Sequence, residues 1–174
     1  GSGNGAAIIL EGTGTTTFDS TVQTRSGITA AGPVVFDANV TLGDGDTASV
    51  FSSNVTAGSS TGSTLTADNG IAFGGGLTLA GGAVTVDSNG STIALGGPVT
   101  GAERLTLDAL GGGAGTVTGL DQIGPTSDLT ALDVTAQTLS LPSGGLAVAG
   151  PMTFTAAGGI TLNGAVGSAA GPAT

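Results

Sequence analysis

The sequence predicts an all-β chain wound as a parallel β-helix, a β-solenoid of about eight coils with roughly 21 residues in each. Three observations carry this. The stretch VFDANVT, Val35 to Thr41, returns fifteen residues later as VFSSNVT, Val50 to Thr56. Apolar residues alternate with small polar ones across these stretches, as in Val34, Phe36, Val40 and Leu42, which is the period of strands. No segment offers an apolar stripe at helical spacing, and the abundant Val, Ile and Thr favour strands.

The unit reads apolar, spacer, Phe or Leu, three turn-type residues, Val or Leu, and often Thr with a further apolar residue. In chain order it is written TTFDSTVQT, VVFDANVTL, SVFSSNVTA, IAFGGGLTL, IALGGPVTG, then more loosely VTGLDQIG and LSLPSGGLAV, and finally ITLNGAVGS. Asp, Ser, Asn, Gly and Pro fill the middle of each unit, and these are the residues that turn a chain. The apolar residue after the turn is the clearest slot, held by Val22, Val40, Val55, Leu77, Val99, Ile123, Leu146 and Val166. Its successive spacings are 18, 15, 22, 22, 24, 23 and 20 residues, with a mean close to 21. Such variation excludes a rigid hexapeptide helix and suits a coil whose loops change length.

An antiparallel sandwich would not need the same letters in the same slot of each strand. Stacking does, because equivalent residues then lie above one another at ~4.8 Å. The stacking predicts an internal column of Phe18, Phe36, Phe51 and Phe73 continued by Leu95, and an amide ladder of Asn39 over Asn54. Eight coils would make a rod of roughly 40 Å. A single coil cannot bury its own apolar face, so stability must come from cooperative stacking.

Composition bounds the function. The 174 residues include 35 glycines and 28 threonines, with no Cys, His, Trp, Tyr or Lys. An apolar fraction of 39% and a positive mean hydropathy set the chain apart from disordered Gly/Ser-rich segments. Ten Asp and two Glu stand against Arg25 and Arg104 alone, for a net charge of −10. Two arginines cannot neutralise a run of phosphates, so nucleic acid is not an expected partner. An anionic membrane surface would repel the chain, and no apolar run approaches the ~20 residues of a membrane helix. Neither GSGNGAAIIL nor VGSAAGPAT reads as a helical or charged cap over a bare strand edge. Residues 1–174 are therefore expected to form one solenoid segment, either part of a longer repeat protein or stacked end to end with copies of itself.

The stretch STIALGGPVTGAERLTLDALGGGAGTVTGLDQIGPTSDLTALDVTA, Ser91 to Ala136, resembles the repeats of large secreted bacterial exoproteins of the filamentous haemagglutinin type. GGLAVAGPMTFTAAGGITLNGAVGS, Gly144 to Ser168, is similar again. The shared motif is an apolar, Gly-rich turn and Val followed by an L-T-L or L-x-V strand, here Leu105 to Leu107 and Leu132 to Val134. The resemblance implies a right-handed parallel β-helix, secretion to the cell surface or medium, and a role in adhesion or in spacing an adhesive tip from the cell. It carries over no functional residue, because the repeats of that family are scaffold.

Catalysis on a β-helix would need clustered carboxylates with tuned proton affinity. The one tight pair is Asp44 and Asp46 in LGDGDTA, which reads first as a solvated turn and otherwise as the acid/base centre of a carbohydrate-active β-helix, a polysaccharide lyase or hydrolase. Asp19 and Asp37 occupy the same turn slot in consecutive coils, where a stacked carboxylate pair would either hold a cation or relax into solvent. The G-G-x-G-x-D period of calcium β-rolls is absent. Thr-x-Thr pairs begin at Thr15, Thr64, Thr116 and Thr153; their offsets from the apolar slot place them on different faces, against an ice-matching plane. Thr41, Thr56, Thr78 and Thr100 share a slot as β-branched outward residues do anyway. The sequons at Asn39, Asn54 and Asn89 arise easily in a chain this rich in Thr and Asn. Without His or Cys, nucleophilic catalysis of those kinds is excluded. The expectation is thus a structural, adhesive rod or filament segment with no catalytic residue, no metal ligand and no cofactor. Its expected partners are coils of its own kind, with a glycan or matrix ligand on the side faces.

Overall fold

A computed structural model describes residues 7–42, 47–123, 129–143 and 146–168. These residues are all-β, a parallel β-solenoid of about seven turns with roughly 21 residues per turn, and the single helical element is a 3-10 turn over Leu120–Gln122. Three sheets run along the solenoid. Sheet A stacks β1 (Ile8–Leu10), β4 (Ile28–Ala30), β7 (Ser49–Phe51), β10 (Ile71–Phe73), β13 (Ile93–Leu95) and β16 (Val117–Thr118). Sheet B stacks β2 (Thr16–Phe18), β5 (Val34–Phe36), β8 (Val55–Ala57), β11 (Leu77–Leu79) and β14 (Val99–Thr100). Sheet C stacks β3 (Val22–Thr24), β6 (Val40–Leu42), β9 (Ser63–Ala67), β12 (Val84–Asp87), β15 (Arg104–Asp108), β17 (Ala131–Leu141) and β19 (Met152–Leu162). The pair β18 (Leu146–Val148) and β20 (Val166–Ser168) completes the set.

Most strands are three residues long with the middle side chain outward, because each coil spends only a short run on one sheet before it must turn. The long strands β17 and β19 bend from sheet C into the line of sheet A. Thr138 bridges to Thr116 beside β16, and Gly159 pairs with Thr138 in turn, across a register shift that follows Ala136.

The opening repeat has an unexpected geometry. VFDANVT spans β5, a turn and β6, the corner from sheet B to sheet C, whereas VFSSNVT spans β7, a turn and β8, the corner from sheet A to sheet B. The same letters build two different corners because both have one construction: a three-residue strand, a three-residue turn and a second strand. This corrects the slot assignment. Val22 and Val40 pair with each other in sheet C, while Val55, Leu77 and Val99 pair in sheet B. The short 15-residue spacing from Val40 to Val55 is therefore about two thirds of a turn, from sheet C through sheet A to sheet B, rather than a full turn.

The four phenylalanines touch in sequence order but do not form one column. Phe18 and Phe36 stack within sheet B at 5.4 Å, and Phe51 and Phe73 stack within sheet A at 5.8 Å. Phe36 meets Phe51 edge-on across the interior at 5.7 Å and 86°. The next residue in each ring's file is small: Ala57 beside Phe36 and Ala30 beside Phe51. Large and small side chains thus alternate where two rings share the cross-section, as close packing requires. Leu95 does continue the sheet A file below Phe73. The predicted Asn ladder is absent, since Asn39 and Asn54 sit at different corners. Each side-chain oxygen instead accepts a backbone N–H of another coil, from Thr64 to Asn39 and from Gly76 to Asn54, both at 2.9 Å.

The core is one continuous cluster of Ile, Leu, Val, Phe and Ala, with Ser26, Ser49, Ser63 and Ser88 as its buried polar members. Ser49 accepts the Ile28 amide N–H at 3.2 Å, and Ser88 donates to the Ser91 carbonyl at 2.7 Å. Among the described residues Ser63 Oγ has no hydrogen-bond partner. Gly58 follows β8 at φ +137°, and a Cβ there would collide with the Ala80 carbonyl of the adjacent coil, so the close approach of the two backbones depends on glycine.

Candidate functional site

Chemistry-bearing groups are distributed unevenly over the three faces. Asp87, Arg104, Asp108 and Asp133 lie in strands of sheet C, and the other charged residues among those described lie in turns. No charged residue falls in a strand of sheet A or sheet B.

The outward side of sheet C carries two rows. One runs Thr64, Thr85, Thr106, Asp133, Thr153, and the other Thr66, Asp87, Asp108, Thr135, Thr155, each residue in register with the next. The Thr-x-Thr pairs at Thr64 and Thr153 therefore share a face; those at Thr15 and Thr116 run into strands of sheets B and A. The three aspartates break the threonine rows, which keeps the face from being a uniform hydroxyl plane. Thr41 is also on sheet C, whereas Thr56, Thr78 and Thr100 form a file on sheet B, with the last two hydroxyls 3.3 Å apart.

The aspartates of these rows are occupied in holding the chain. Asp87 Oδ1 accepts the Asn89 N–H at 2.8 Å and Asp108 Oδ1 accepts the Leu110 N–H at 2.9 Å, the side-chain-to-backbone bond two residues on that tightens a turn. Asn89 adopts φ 46° and donates its side-chain amide to Asp68 at 3.3 Å. Asp87 and Asp108 stand in adjacent register at this corner, a juxtaposition that the sequence spacing alone does not reveal. Arg104 donates Nε–H to Asp133 Oδ2 at 2.7 Å, with its terminal amine at 2.5 Å from the same oxygen. With side chains 58% and 21% exposed, the pair is a solvated surface contact.

Asp44 and Asp46 lie outside the described residues. Asp19 and Asp37 do fall in consecutive coils, each following a phenylalanine of a paired strand, and both are exposed to solvent. Among the described residues no three carboxylates, histidines or cysteines gather closely enough to hold a metal ion. Nor is any helix among them long and apolar enough to cross a membrane.

Shallow depressions mark the surface. One of about 450 Å³ lies along sheet A between Ala48, Ile71, Ala72, Ala94 and Ala114. A second of about 340 Å³ runs beside Asn39, Thr61, Ser63 and Thr85, and a third of about 280 Å³ beside Thr116, Thr118, Thr138 and Ser140. No carboxylate lines any of the three.

The two ends differ from the middle. At one end Ile8, Leu10, Phe18 and Val22 are only partly buried. At the other, Met152, Phe154 and Ala156 continue the inward rows of Leu132, Val134 and Ala136 but are half-buried. Ile160, Leu162 and Val166, in line with Leu139, Leu141 and Leu146, are exposed at 43%, 66% and 40%.

No family model, no curated protein and no solved structure matches this chain.

Proposed function

We propose that the chain is a structural and adhesive rod segment of a secreted bacterial surface protein, in keeping with its resemblance to filamentous haemagglutinin-type repeats. The observation that carries this reading is the row Met152, Phe154, Ile160, Leu162 and Val166, whose side chains continue the core files yet stand half-buried or exposed. Such a row is the template for one more coil, whether from flanking sequence or from another copy, because each coil buries its apolar side chains only against its neighbours. A contact that joins one end to the other is heterologous and builds an open filament. Carbohydrate chemistry is the rival, and it rests on Asp44, Asp46 or another Asp cluster that stacking brings together.

Electron microscopy of the purified chain at several concentrations tests the rod reading. Fibres that lengthen with concentration are expected. Compact particles that never exceed a single rod of roughly 40 Å would remove end-to-end assembly. A screen against acidic polysaccharides runs beside it, and turnover that disappears in Asp44→Asn would replace the structural reading with an enzymatic one.

A further inference from the structure

We infer that the outward face of sheet A is a lateral contact surface, and that its partner is the same face of a second copy of this chain. The inference deepens the rod reading above and rests on it: it states how rods lie side by side.

The face is eight strands long. To the six strands of sheet A the register adds the second halves of β17 and β19, through Thr116 to Thr138 and Thr138 to Gly159. Its central row runs from Ile9 through Val50, Ala72, Ala94 and Thr118 to Thr161. The row beside it, from Ala7 to Gly159, is built of Gly, Ala and Thr alone. Two large apolar side chains, Ile9 at 64% and Val50 at 38%, are exposed on it, and a depression of about 450 Å³ lies along it.

Charge then selects the occupant. A chain of net charge −10 repels its own copies at long range. Sheet C brings Asp87, Asp108 and Asp133 outward, so pairing there would set carboxylates against carboxylates. Sheet B is free of charge within its strands but has five of them in register, with Asp19 and Asp37 exposed just beyond β2 and β5. On sheet A, Glu11, Arg25, Asp68 and Asp121 stand at the margins while the long central rows carry no charge. Among the described residues it is the long face whose central rows two copies can bring together without desolvating an aspartate. Its short side chains also let two sheets approach closely, since nothing longer than Ile projects from it.

The contact is modest for one pair. Eight strands at ~4.8 Å by about 10 Å of strand give roughly 400 Å² per partner, or about 800 Å² in all, the size of a weak association. Along a filament the contacts add through effective concentration.

Sedimentation in a Leu162→Asp background tests this, because that change charges the exposed end row and leaves the face intact. Reversible dimers are expected, tightening as salt rises from about 0.01 M to about 0.15 M because added ions screen the long-range repulsion between copies. Ala72→Asp and Thr118→Asp, each confirmed folded by circular dichroism, are expected to raise the dissociation constant at least about tenfold, as charge buried without a partner does. Thr78→Asp on sheet B adds the same charge and is expected to change it less than about twofold. A monomer at every concentration and salt overturns the inference, and so does equal weakening by Thr78→Asp. Fibres that still lengthen in the Ala72→Asp single variant would leave the end-to-end reading standing whichever way the face behaves, so the two fail separately.

Discussion

Phe36→Ala is the most direct probe of how the coils hold one another. The ring is fully buried, stacks on Phe18 and meets Phe51 edge-on, so its removal deletes two aromatic contacts and leaves a void at the passage from sheet B to sheet A. Burial of this kind is worth about 3–5 kcal/mol, cavity included. Ala57, the next residue in the file, is too small to fill the space, which places the cost toward the upper part of that range. Phe18→Ala is the internal comparison: that ring is partly buried and has one aromatic partner, so roughly 1–2 kcal/mol is expected. The chain has no Trp or Tyr, so the assay is urea denaturation followed by far-ultraviolet circular dichroism. With a slope of about 2 kcal/mol per molar, Phe36→Ala should lower the midpoint by roughly 2 M with the slope unchanged, and Phe18→Ala by less than half of that. Equal shifts for the two variants would refute the claim that Phe36 joins two sheets. A shift for Phe36→Ala under about 0.5 M would refute the packing argument altogether.

Two further outcomes test single positions. Gly58→Ala places a side chain at φ +137° and against the Ala80 carbonyl, so a loss of more than about 1 kcal/mol is expected in the same assay, where an open turn would tolerate the change. Ser63→Ala removes a buried hydroxyl that has no partner, so stability should hold or rise by up to about 1 kcal/mol; a clear loss would mean that the hydroxyl is hydrogen-bonded in solution.

The period of this fold is legible in the sequence because stacking forces it there. Equivalent residues of successive coils must match in size and polarity, and Val55, Leu77 and Val99 do so at a fixed interval. The phase is not legible. All corners of the coil share one chemistry, so the letters of VFDANVT and VFSSNVT cannot say which corner they turn, and Val22 and Val40 pass for members of a file that belongs to sheet B. The same ambiguity hid the make-up of the outward faces. Whether Thr64 and Thr153 share a face, whether Asp87 lies beside Asp108, and whether Ile9 shares a row with Val50 all depend on loop lengths that vary from coil to coil. Asn39 and Asn54 show the reverse case. Their common letter marks a common job, acceptance of another coil's amide, performed at two separate corners.

The strands lie across the solenoid while their ladder hydrogen bonds run along it, and this sets how the molecule answers a pull between its ends. Tension along the axis falls on the ladder of one coil at a time, peeling it from its neighbour instead of shearing many bonds together. A released coil of about 21 residues extends to roughly 70 Å from a rise of ~4.8 Å, so each peeling event lengthens the tether by many times the height it gives up. A stack of such coils is expected to yield in steps under load and to rewind onto the template of the coil left behind.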